Sequence, residues 1–443
     1  MKRILLIGAG RSSSVLIRYL LQSAAQNQWE LVVGDVSEQL ATEKTGGHPH
    51  SNAIRFDVQD QSIREAEVQK ADLVISLLPP HLHYLLAVDC VNFKKHFLTA
   101  SYLSTEMGSL HEQAEKAGIC IMNECGLDPG IDHMSAMEVI DRLKKEGCEL
   151  TSFKSYTGGL VAPESNDNPW GYKFSWNPRN VILAGQGTAR YIRDGLYKYI
   201  PYNRLFSEIE RIQVEGYGSF DGYANRDSLA YRHHYHIEQI PTLLRGTLRQ
   251  SGFCRAWNVF VQLGLTDDSY KIEKSETLTY ADLIRAHLPA TLVKDSLLET
   301  VAAFCGLPPD GEAMTKVEWT GILTDEPIGI SDASPAQILQ NLLEKKWKLE
   351  EHDKDMIVMQ HQFEFLRNDI SQKLNSTLVV KGEDQQLTAM AKTVGLPLGI
   401  TAKLILENKI NLKGVFIPVM EEVYKPVLKE LKDLGIGFEE MNI

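Results

Sequence analysis

Short apolar runs that alternate with helical stretches constrain the first part of the chain more than any other feature. The strand-like runs are residues 4–7, 31–33, 53–56, 73–77, 96–99 and 119–122. Regular alternation of this kind predicts βαβ units and a parallel sheet. We therefore predict an α/β fold whose first domain, residues 1–123, is a Rossmann-type parallel-sheet domain.

The first strand runs into a glycine turn and then a helix, an order typical of dinucleotide-binding sites. Gly8 permits the tight turn, and Gly10 lets the backbone approach a pyrophosphate. The amides at the start of the following helix can face the phosphates. Ser13, a small residue, replaces the third glycine of the fingerprint. The predicted cofactor-binding residues of this turn are Gly8, Ala9, Gly10, Arg11, Ser12 and Ser13.

The ends of later strands supply further cofactor candidates. Asp35 ends the second strand, where a carboxylate accepts hydrogen bonds from both adenosine ribose hydroxyls and repels a 2′-phosphate. This predicts NAD as the cofactor, with NADP possible. Asp57, with Val58, is placed to meet the adenine, and Ser76, Leu77 and Leu78 end the fourth strand beside the expected pyrophosphate and nicotinamide. The alternative for Asp35 is a solvated residue at a strand end.

Residues 124–133 place three carboxylates, a histidine, a proline and two glycines in one short segment. Asp128, Pro129 and Gly130 predict a tight turn, since proline presets φ and glycine adopts left-handed conformations. The segment follows an apolar run and precedes an amphipathic one, so it marks the point where a strand passes into a helix. Ligands bind at that edge of an open α/β sheet. The alternative is an aspartate that caps the helix, with His133 solvated in its first turn.

Composition narrows the class of protein. The 443 residues, 43% of them hydrophobic, suffice for two or three domains. The net charge of −12 disfavours general binding to nucleic acid or anionic membranes. Six scattered cysteines lack CxxC spacing, which predicts a reducing, cytoplasmic location and neither a metal site nor disulfides. Because the sequence opens with a strand pattern, we expect no signal peptide, and we expect no apolar run of membrane-spanning length.

From Thr151 the sequence pattern changes to long predicted loops rich in glycine, aromatic and charged residues, which indicates a second domain. We assign residues 124–386 to this mixed α/β domain and predict a mostly helical subdomain at 270–354. A helix is expected from Thr388 to Leu406, with Pro397 kinking or breaking it. The strand and helix after it are expected to return to the first domain, so that residues 387–443 complete it.

Seven motifs in order resemble the saccharopine dehydrogenases of the L-glutamate-forming type, also called saccharopine reductases. The resemblance runs nearly end to end, and seven motifs are far more specific than a glycine fingerprint. They are Ile75-Ser-Leu-Leu-Pro79, Thr99-Ala-Ser-Tyr102, Gly126-Leu-Asp-Pro-Gly-Ile-Asp-His133, Pro169-Trp-Gly-Tyr-Lys-Phe-Ser-Trp176, Asn225-Arg-Asp-Ser228, Arg245-Gly-Thr-Leu-Arg249 and Ala389-Met-Ala-Lys-Thr-Val-Gly-Leu-Pro397.

The resemblance implies a Rossmann-type cofactor domain, a mixed α/β domain that binds substrate and forms a homodimer, and a small helical insertion. It also implies the interconversion of saccharopine with glutamate and 2-aminoadipate 6-semialdehyde. Guanidinium groups suit a substrate with three carboxylates, and Asp227 is placed to brace Arg226. The implied substrate-binding residues are Ser101, Tyr102, Asp128, Arg226, Thr247, Leu248 and Arg249, with Asp128 and Tyr102 also catalytic.

Proton transfer and substrate identity stay open at this stage. Asp128, Tyr102 and His133 are candidates for proton transfer, although the substrate's own amine can suffice. The chain has Thr157 where the family commonly has cysteine, and Asp35 where NADP-using members tend to have arginine. Trp170 and Trp176 stand among residues that match the family's motif, and packing in an aromatic core explains them as well as a role in the site does. The alternatives are an enzyme acting on another secondary amine, such as carboxynorspermidine, and a nicotinamide-binding regulator without turnover.

Overall fold

The computed structural model describes residues 1–443. Its strands are β1 (Arg3–Ile7), β2 (Glu30–Asp35), β3 (Ser51–Arg55), β4 (Leu73–Ser76), β5 (His96–Thr99), β6 (Cys120–Met122), β7 (Glu149–Val161), β8 (Ala189–Arg193), β9 (Leu196–Ile200), β10 (Ile209–Val214), β11 (Gly218–Ala224), β12 (Thr242–Gln250), β13 (Asp355–Arg367), β14 (Ile370–Lys381), β15 (Gly414–Phe416) and β16 (Glu439–Asn442).

The α-helices are α1 (Ser13–Asn27), α2 (Glu38–Thr45), α3 (Gln61–Lys70), α4 (His83–Phe93), α5 (Thr105–Gly108), α6 (His111–Ala117), α7 (Ile131–Lys145), α8 (Pro178–Ile182), α9 (Tyr202–Leu205), α10 (Tyr231–His234), α11 (Phe253–Gln262), α12 (Tyr280–His287), α13 (Leu297–Phe304), α14 (Glu312–Trp319), α15 (Pro335–Lys346), α16 (Ala389–Leu406) and α17 (Glu421–Asp433).

The chain divides into two compact units. The first comprises Met1–Leu150, Leu366–Ile370 and Leu378–Met441, and the second comprises Thr151–Phe365, Ser371–Thr377 and Asn442–Ile443. Residues 124–150, which we assigned to the second domain, therefore belong to the first unit. The reason is that α7 packs on α17, where the Tyr424 hydroxyl donates a hydrogen bond to Asp141 Oδ2 at 2.7 Å.

A seven-stranded sheet forms the centre of the first unit, in the order β15-β6-β5-β4-β1-β2-β3. Every neighbouring pair is parallel, as the alternating pattern predicted. Residues 4–7 of β1 and 73–75 of β4 are apolar and buried, as expected where helices cover both faces of such a sheet. At one edge β15 pairs with β6, with Val415 opposite Ile121. The C-terminal segment thus returns to the first domain, as predicted.

Helix α16 runs through Pro397 without a break in its 18 residues, so the predicted break is wrong. The Thr388 side chain caps its N-terminus by accepting a hydrogen bond from Ala391 N. The helix packs on α1, where a Cβ added at Gly399 would lie 2.5 Å from the Tyr19 ring. By length and composition α16 could cross a membrane, contrary to our expectation for the sequence, but 78% of that window is buried inside the protein.

The second sheet is mixed, and its path runs β10-β11-β12-β7-β13-β14-β16, with β8 and β9 joined through β12. Strand β12 is antiparallel to β11 and parallel to β7. Residues 270–354 contain the helices α12 to α15, as predicted for the helical subdomain. Capping boxes at Thr279, Ser296 and Ser334 start three of these helices. The predicted combination of a Rossmann-type sheet with a mixed α/β domain is confirmed.

Candidate active site

The glycine turn after β1 has the geometry that a dinucleotide requires. Gly8 has a φ of +103°, and its amide donates to Gly34 O at 2.8 Å. A Cβ at Gly8 would also lie 3.3 Å from the Leu77 backbone, so glycine fits there on two counts. A Cβ added at Gly10 would meet no protein atom within 4 Å. The turn is therefore open where a pyrophosphate would approach, and its residues fit that group.

Asp35 lies at the end of β2, as predicted, and its carboxylate has a structural role that the sequence did not suggest. Its Oδ2 accepts a hydrogen bond from Ala9 N at 2.8 Å, and its Oδ1 accepts one from Ser37 N at 2.9 Å. Asp35 thus braces the glycine turn and also the loop that leads into α2. Its remaining lone pairs can still accept from a ribose.

The other predicted cofactor residues divide into exposed and buried groups. Asp57 is exposed, and its Oδ1 accepts from Gln59 N at 3.0 Å. Val58 lies in the hydrophobic core of the first unit, and its carbonyl accepts a hydrogen bond from Arg64 Nη1 at 2.7 Å. Its side chain is therefore packed into the protein. Leu77 N donates to Ile7 O at 2.8 Å, which holds the end of β4 beside the glycine turn.

A buried histidine that sequence analysis missed lies between two predicted site residues. His83 begins α4, and its Nδ1 lies 2.8 Å from Ser76 Oγ. Its Nε2 lies 2.7 Å from Ser101 Oγ and 3.3 Å from Thr99 Oγ1. Burial lowers the pKa of His83 to about 4. The signal was available, since His83 follows β4 by a few residues and parallel strands align their carboxyl ends.

Tyr102 and Asp128, the predicted catalytic pair, are brought together. The Tyr102 hydroxyl lies 3.4 Å from Asp128 Oδ1, at the long limit for a hydrogen bond. The peptide between Asp128 and Pro129 is cis, and Gly130 has a φ of +146°. A Cβ at Gly130 would lie 2.1 Å from Gly126 O, so this turn accepts only glycine there.

His133, the third candidate for proton transfer, is fully buried between two carboxylates. Its Nε2 lies 2.8 Å from Glu124 Oε2, and its Nδ1 lies 3.6 Å from Asp132 Oδ2. Glu124 Oε1 also accepts from Leu103 N at 2.9 Å. These bonds join the loop after β5 to the loop after β6. The alternative of a solvated His133 is therefore wrong, and the imidazole is placed to hold Tyr102 and Asp128 on adjoining loops.

In the second unit, Arg249 is a buried cation without a carboxylate partner. It lies on β12, and its Nη1 donates to its neighbour's carbonyl, Leu248 O, at 3.1 Å. Its Nε has no hydrogen-bond partner. The guanidinium carbon lies 5.3 Å from the Tyr172 ring centroid and 5.5 Å from that of Phe253. Aromatic faces attract a cation but cannot accept its N–H bonds as a carboxylate can.

Of the other predicted substrate residues in this unit, Thr247 and Leu248 lie beside Arg249 on β12, and Arg226 lies outside that strand. Thr247 lies on β12 opposite Thr157, and a Cβ added at Gly158 would lie 2.7 Å from Leu248 O. Arg226 has a φ of +49°. The Asp227 carboxylate pairs with Arg190 at 2.6 Å. Arg190 also contacts the residue before Asp227, because its backbone N donates a hydrogen bond to Arg226 O at 2.8 Å. The bracing of Arg226 by Asp227 stays a prediction.

The aromatic motif at 169–176 serves mainly as core. Trp170 is fully buried and stacks on Phe260 with ring centroids 5.5 Å apart. Within the same motif, Lys173 Nζ lies 2.8 Å from Asp167 Oδ2 and 2.7 Å from Asp353 Oδ2. The motif therefore holds one buried, fully paired lysine beside the aromatic cluster that receives Arg249. Trp176 donates from Nε1 to the Tyr172 hydroxyl at 3.2 Å.

The fold and the glycine turn define a nucleotide-binding oxidoreductase built on a Rossmann-type domain. Two family models match the chain: "Saccharopine dehydrogenase NADP binding domain" over residues 4–122, and "Saccharopine dehydrogenase C-terminal domain" over residues 126–436. The chain therefore belongs to the saccharopine dehydrogenase family, and the resemblance predicted from its motifs is confirmed.

Individual relatives support the same assignment over the full length. A saccharopine dehydrogenase [NADP(+), L-glutamate-forming] from Pyricularia oryzae is 33% identical over 99% of this chain and 98% of its own. The apo structure of the L-Glu-forming saccharopine dehydrogenase from Saccharomyces cerevisiae matches with a TM-score of 0.89 and 32% identity, covering 100% of both chains. The mitochondrial alpha-aminoadipic semialdehyde synthase of Mus musculus is 36% identical, and this chain spans 47% of its length.

These comparisons support a pyridine nucleotide cofactor but not the preference for NAD that Asp35 predicted. The Pyricularia relative is named as an NADP(+) enzyme, and the matching family model is an NADP-binding domain.

Proposed function

We propose that this protein is an NAD(P)-dependent dehydrogenase of lysine metabolism that interconverts saccharopine and water with glutamate and 2-aminoadipate 6-semialdehyde. The observation that carries the proposal is Arg249, a buried guanidinium with no carboxylate partner in a chain of this family. A buried charge is costly unless it is paired, and arginine cannot lose its proton. A carboxylate of the substrate supplies the missing partner.

Saccharopine suits this arrangement because it carries three carboxylates and a secondary amine. In the second unit, we assign one carboxylate to Arg249, with Arg226, Thr247 and Leu248 as further substrate contacts. In the first unit, we assign Ser101 to hydrogen bonding with a substrate carboxylate. A guanidinium binds a carboxylate through two parallel hydrogen bonds, so Arg249 also fixes the orientation of the group it binds.

The chemistry takes place at the carbon attached to the secondary nitrogen. When bound, the nicotinamide cofactor accepts the hydride that leaves this carbon. Water then adds to the resulting C=N bond, and the nitrogen departs with glutamate. We assign Tyr102 and Asp128 to positioning and polarising the reacting nitrogen, which must be deprotonated for hydride to leave. The Tyr102 hydroxyl and the Asp128 carboxylate lie 3.4 Å apart, so one substrate atom can contact both groups.

An Asp128→Ala variant tests the catalytic assignment. Acid–base participation contributes on the order of a hundredfold, so we expect kcat/KM for saccharopine to fall by at least that factor. Binding of the reduced nucleotide, followed by fluorescence, is expected to stay unchanged and serves as the control for folding. A kcat/KM within about twofold of the wild type would remove Asp128 from the mechanism.

Within this function we propose that NAD is the preferred cofactor, because the Asp35 carboxylate at the end of β2 would repel a 2′-phosphate. The names of the relatives point the other way, so the measurement is informative. We expect a lower KM for NAD than for NADP, and a reduced difference in Asp35→Asn, which removes the charge while keeping one acceptor oxygen. A clear preference of the wild type for NADP would refute this role of Asp35.

A homodimer and a cytoplasmic location complete the proposal, the first supported by the family resemblance and the second by cysteine usage. Light scattering tests the first, since a monomer has a mass of 49.8 kDa.

The assay for the proposed function is the initial rate of absorbance change at the nicotinamide band, with purified protein, saccharopine and either NAD or NADP at alkaline pH. Reduction of a cofactor with release of glutamate is the expected result. A folded protein that binds reduced nucleotide but reduces neither cofactor would contradict the proposal. Other secondary amines, such as carboxynorspermidine, would then be the substrates to screen.

A further inference from the structure

His83 connects two site residues that belong to different strands. Ser76 ends β4, and Ser101 follows β5, and each hydroxyl lies within 2.8 Å of a different nitrogen of the same imidazole. Only 3% of His83 is exposed. Ser76 is one of the predicted cofactor residues and Ser101 one of the predicted substrate residues. The imidazole is therefore a buried bridge between the two classes of contact.

The protonation of His83 determines what the bridge can do. Burial lowers its pKa to about 4, so the ring is neutral at the pH at which enzymes of this kind are assayed. A neutral imidazole has one N–H donor and one acceptor nitrogen. With a proton on Nε2, the ring donates to Ser101 and accepts from Ser76. With a proton on Nδ1, both directions reverse.

The two tautomers offer different surfaces to ligands. When Nε2 donates to Ser101 Oγ, the Ser101 hydroxyl is free to donate to a carboxylate, and Ser76 presents only lone pairs. When Nδ1 carries the proton, the Ser101 hydroxyl is spent on the ring and cannot donate to an anion. An anionic ligand at Ser101 therefore selects the Nε2–H tautomer, which makes Ser76 an acceptor for an N–H donor.

We propose that His83 is a positioning residue whose tautomer couples the hydrogen-bond polarity of Ser101, on the substrate side, to that of Ser76, on the cofactor side. The proposal rests on the proposed function for the identities of the two ligands, but the coupling itself is a property of the Ser76–His83–Ser101 chain. Thr99 belongs to the same cluster, because its Oγ1 lies 3.3 Å from Nε2 and accepts from Ser101 N at 3.2 Å. Its hydroxyl can pair with either tautomer, so it leaves the choice to the ligand at Ser101.

The test changes Ser101, on the substrate side of the His83 ring, and measures the affinity for reduced nucleotide, which is bound on the Ser76 side. Ser101→Ala is expected to change the dissociation constant of the nucleotide by a factor of about five, the low end of typical coupling between sites. In a His83→Leu background, the same Ser101→Ala change is expected to alter the nucleotide affinity by less than about 1.5-fold, because the bridge is gone. His81→Leu, an exposed histidine two positions away, is the matched control and should preserve the full Ser101→Ala effect.

The KM for saccharopine, measured on the same proteins, separates this inference from the proposed function. Ser101→Ala raises that KM if Ser101 binds the substrate. A wild type that fails to oxidise saccharopine but retains the effect of Ser101→Ala on nucleotide affinity, dependent on His83, would contradict only the proposed function. An equal effect of Ser101→Ala in the wild-type and His83→Leu backgrounds, or no effect in the wild type, would overturn the role of His83.

Two amide side chains of different length at position 83 distinguish hydrogen-bond coupling by His83 from a purely structural role. His83→Gln can place a polar group near the Nε2 position, and His83→Asn can place one near the Nδ1 position. We expect His83→Gln to keep the wild-type KM for saccharopine within about threefold, and His83→Asn to raise it about tenfold, which is the worth of one hydrogen bond to a charged group. A purely structural role predicts equal losses in both variants and would refute the proposal.

Discussion

Lys173 and Arg249 lie in the same compact unit and are each only 4% exposed, yet their surroundings are opposite. Lys173 has carboxylates at 2.8 and 2.7 Å, from Asp167 and Asp353. Arg249 has two aromatic faces and the carbonyl of Leu248, and its Nε has no partner. A buried cation that the protein has already paired stabilises the fold. One that the protein has left without an anion is available to a ligand.

His83 shows why the missing anion at Arg249 matters. This third buried base also lacks a carboxylate partner, and burial lowers its pKa to about 4, so it gives up its proton. Lysine can be paired, histidine can be neutralised, and arginine can only be paired, because its guanidinium stays charged. The absence of a carboxylate beside Arg249 is therefore a stronger indication of an anionic ligand than the same absence beside His83.

The largest effect is expected for Arg249→Met. Truncating one partner of a buried charge pair costs about 2–5 kcal/mol, so kcat/KM for saccharopine should fall about thirtyfold to several thousandfold. Steady-state kinetics measures this directly. Because the change removes an uncompensated buried charge, the urea midpoint should stay the same or rise. Loss of stability together with unchanged kcat/KM would place Arg249 with Lys173 as a structural cation.

Lys173→Met should show the reverse pattern. Removing the ammonium leaves Asp353, whose side chain is 16% exposed, without its cation, whereas Asp167 is 68% exposed and is solvated by water. We expect this to lower the free energy of unfolding by about 1–2 kcal/mol. Urea unfolding followed by tryptophan fluorescence suits this measurement, because Trp170, Trp257 and Trp347 are buried in the same unit. In the folded variant kcat/KM should stay within about twofold. A loss of activity at full stability would refute the distinction between the two cations.

His83→Gln tests the neutral base through pH. The pKa of His83 is lowered in the folded state, so its contribution to stability is present above the pKa of the unfolded chain, about 6.5, and is lost as pH falls toward about 4. Between about pH 7.5 and about pH 5 the wild type should lose about 2 kcal/mol from this source. Unfolding followed by circular dichroism should show a correspondingly flatter pH dependence in His83→Gln. Equal slopes would mean that folding does not lower the pKa of His83.

The smallest effect is expected for Asp227→Asn. The pair of Asp227 with Arg190 is close, at 2.6 Å, but the Arg190 side chain is 50% exposed. Exposed ion pairs contribute about 0–1 kcal/mol, so the unfolding midpoint should barely move. The same measurement at high salt should abolish any difference that remains. If Asp227→Asn lost as much free energy of unfolding as Lys173→Met, solvent exposure would not explain the difference between the Arg190–Asp227 pair and the pairs of Lys173.

Much of the first unit followed from sequence because its signals are local. The alternation of strands and helices predicted the parallel sheet, and Gly8 and Gly10 predicted the open turn after β1. Features that depend on distant partners were missed. Asp227 pairs with Arg190, which lies on β8 and is 37 positions earlier in the chain. The extent of the first unit depends on α7 packing against α17, and these helices are far apart in sequence.

The candidate site residues came from motifs, and their roles stay predictions. His83, which lies within hydrogen-bonding distance of two of them, has no motif of its own. Arg249, Tyr102 and Asp128 were singled out, but nothing local distinguishes Arg249 from the paired Lys173, because the difference lies in Asp167 and Asp353. Pro397 was expected to kink or break α16, which stays continuous because its packing on α1 outweighs one lost backbone hydrogen bond. Helix propensity is a weak guide where tertiary packing is extensive.

The most direct test of the central claim is calorimetric titration of saccharopine into the wild type, Arg249→Met and Lys173→Met, with reduced nucleotide present so that no turnover occurs. We predict that the dissociation constant rises at least about thirtyfold in Arg249→Met and stays within about twofold of the wild type in Lys173→Met. Wild-type affinity in Arg249→Met would contradict the assignment of this buried guanidinium to a carboxylate of the substrate.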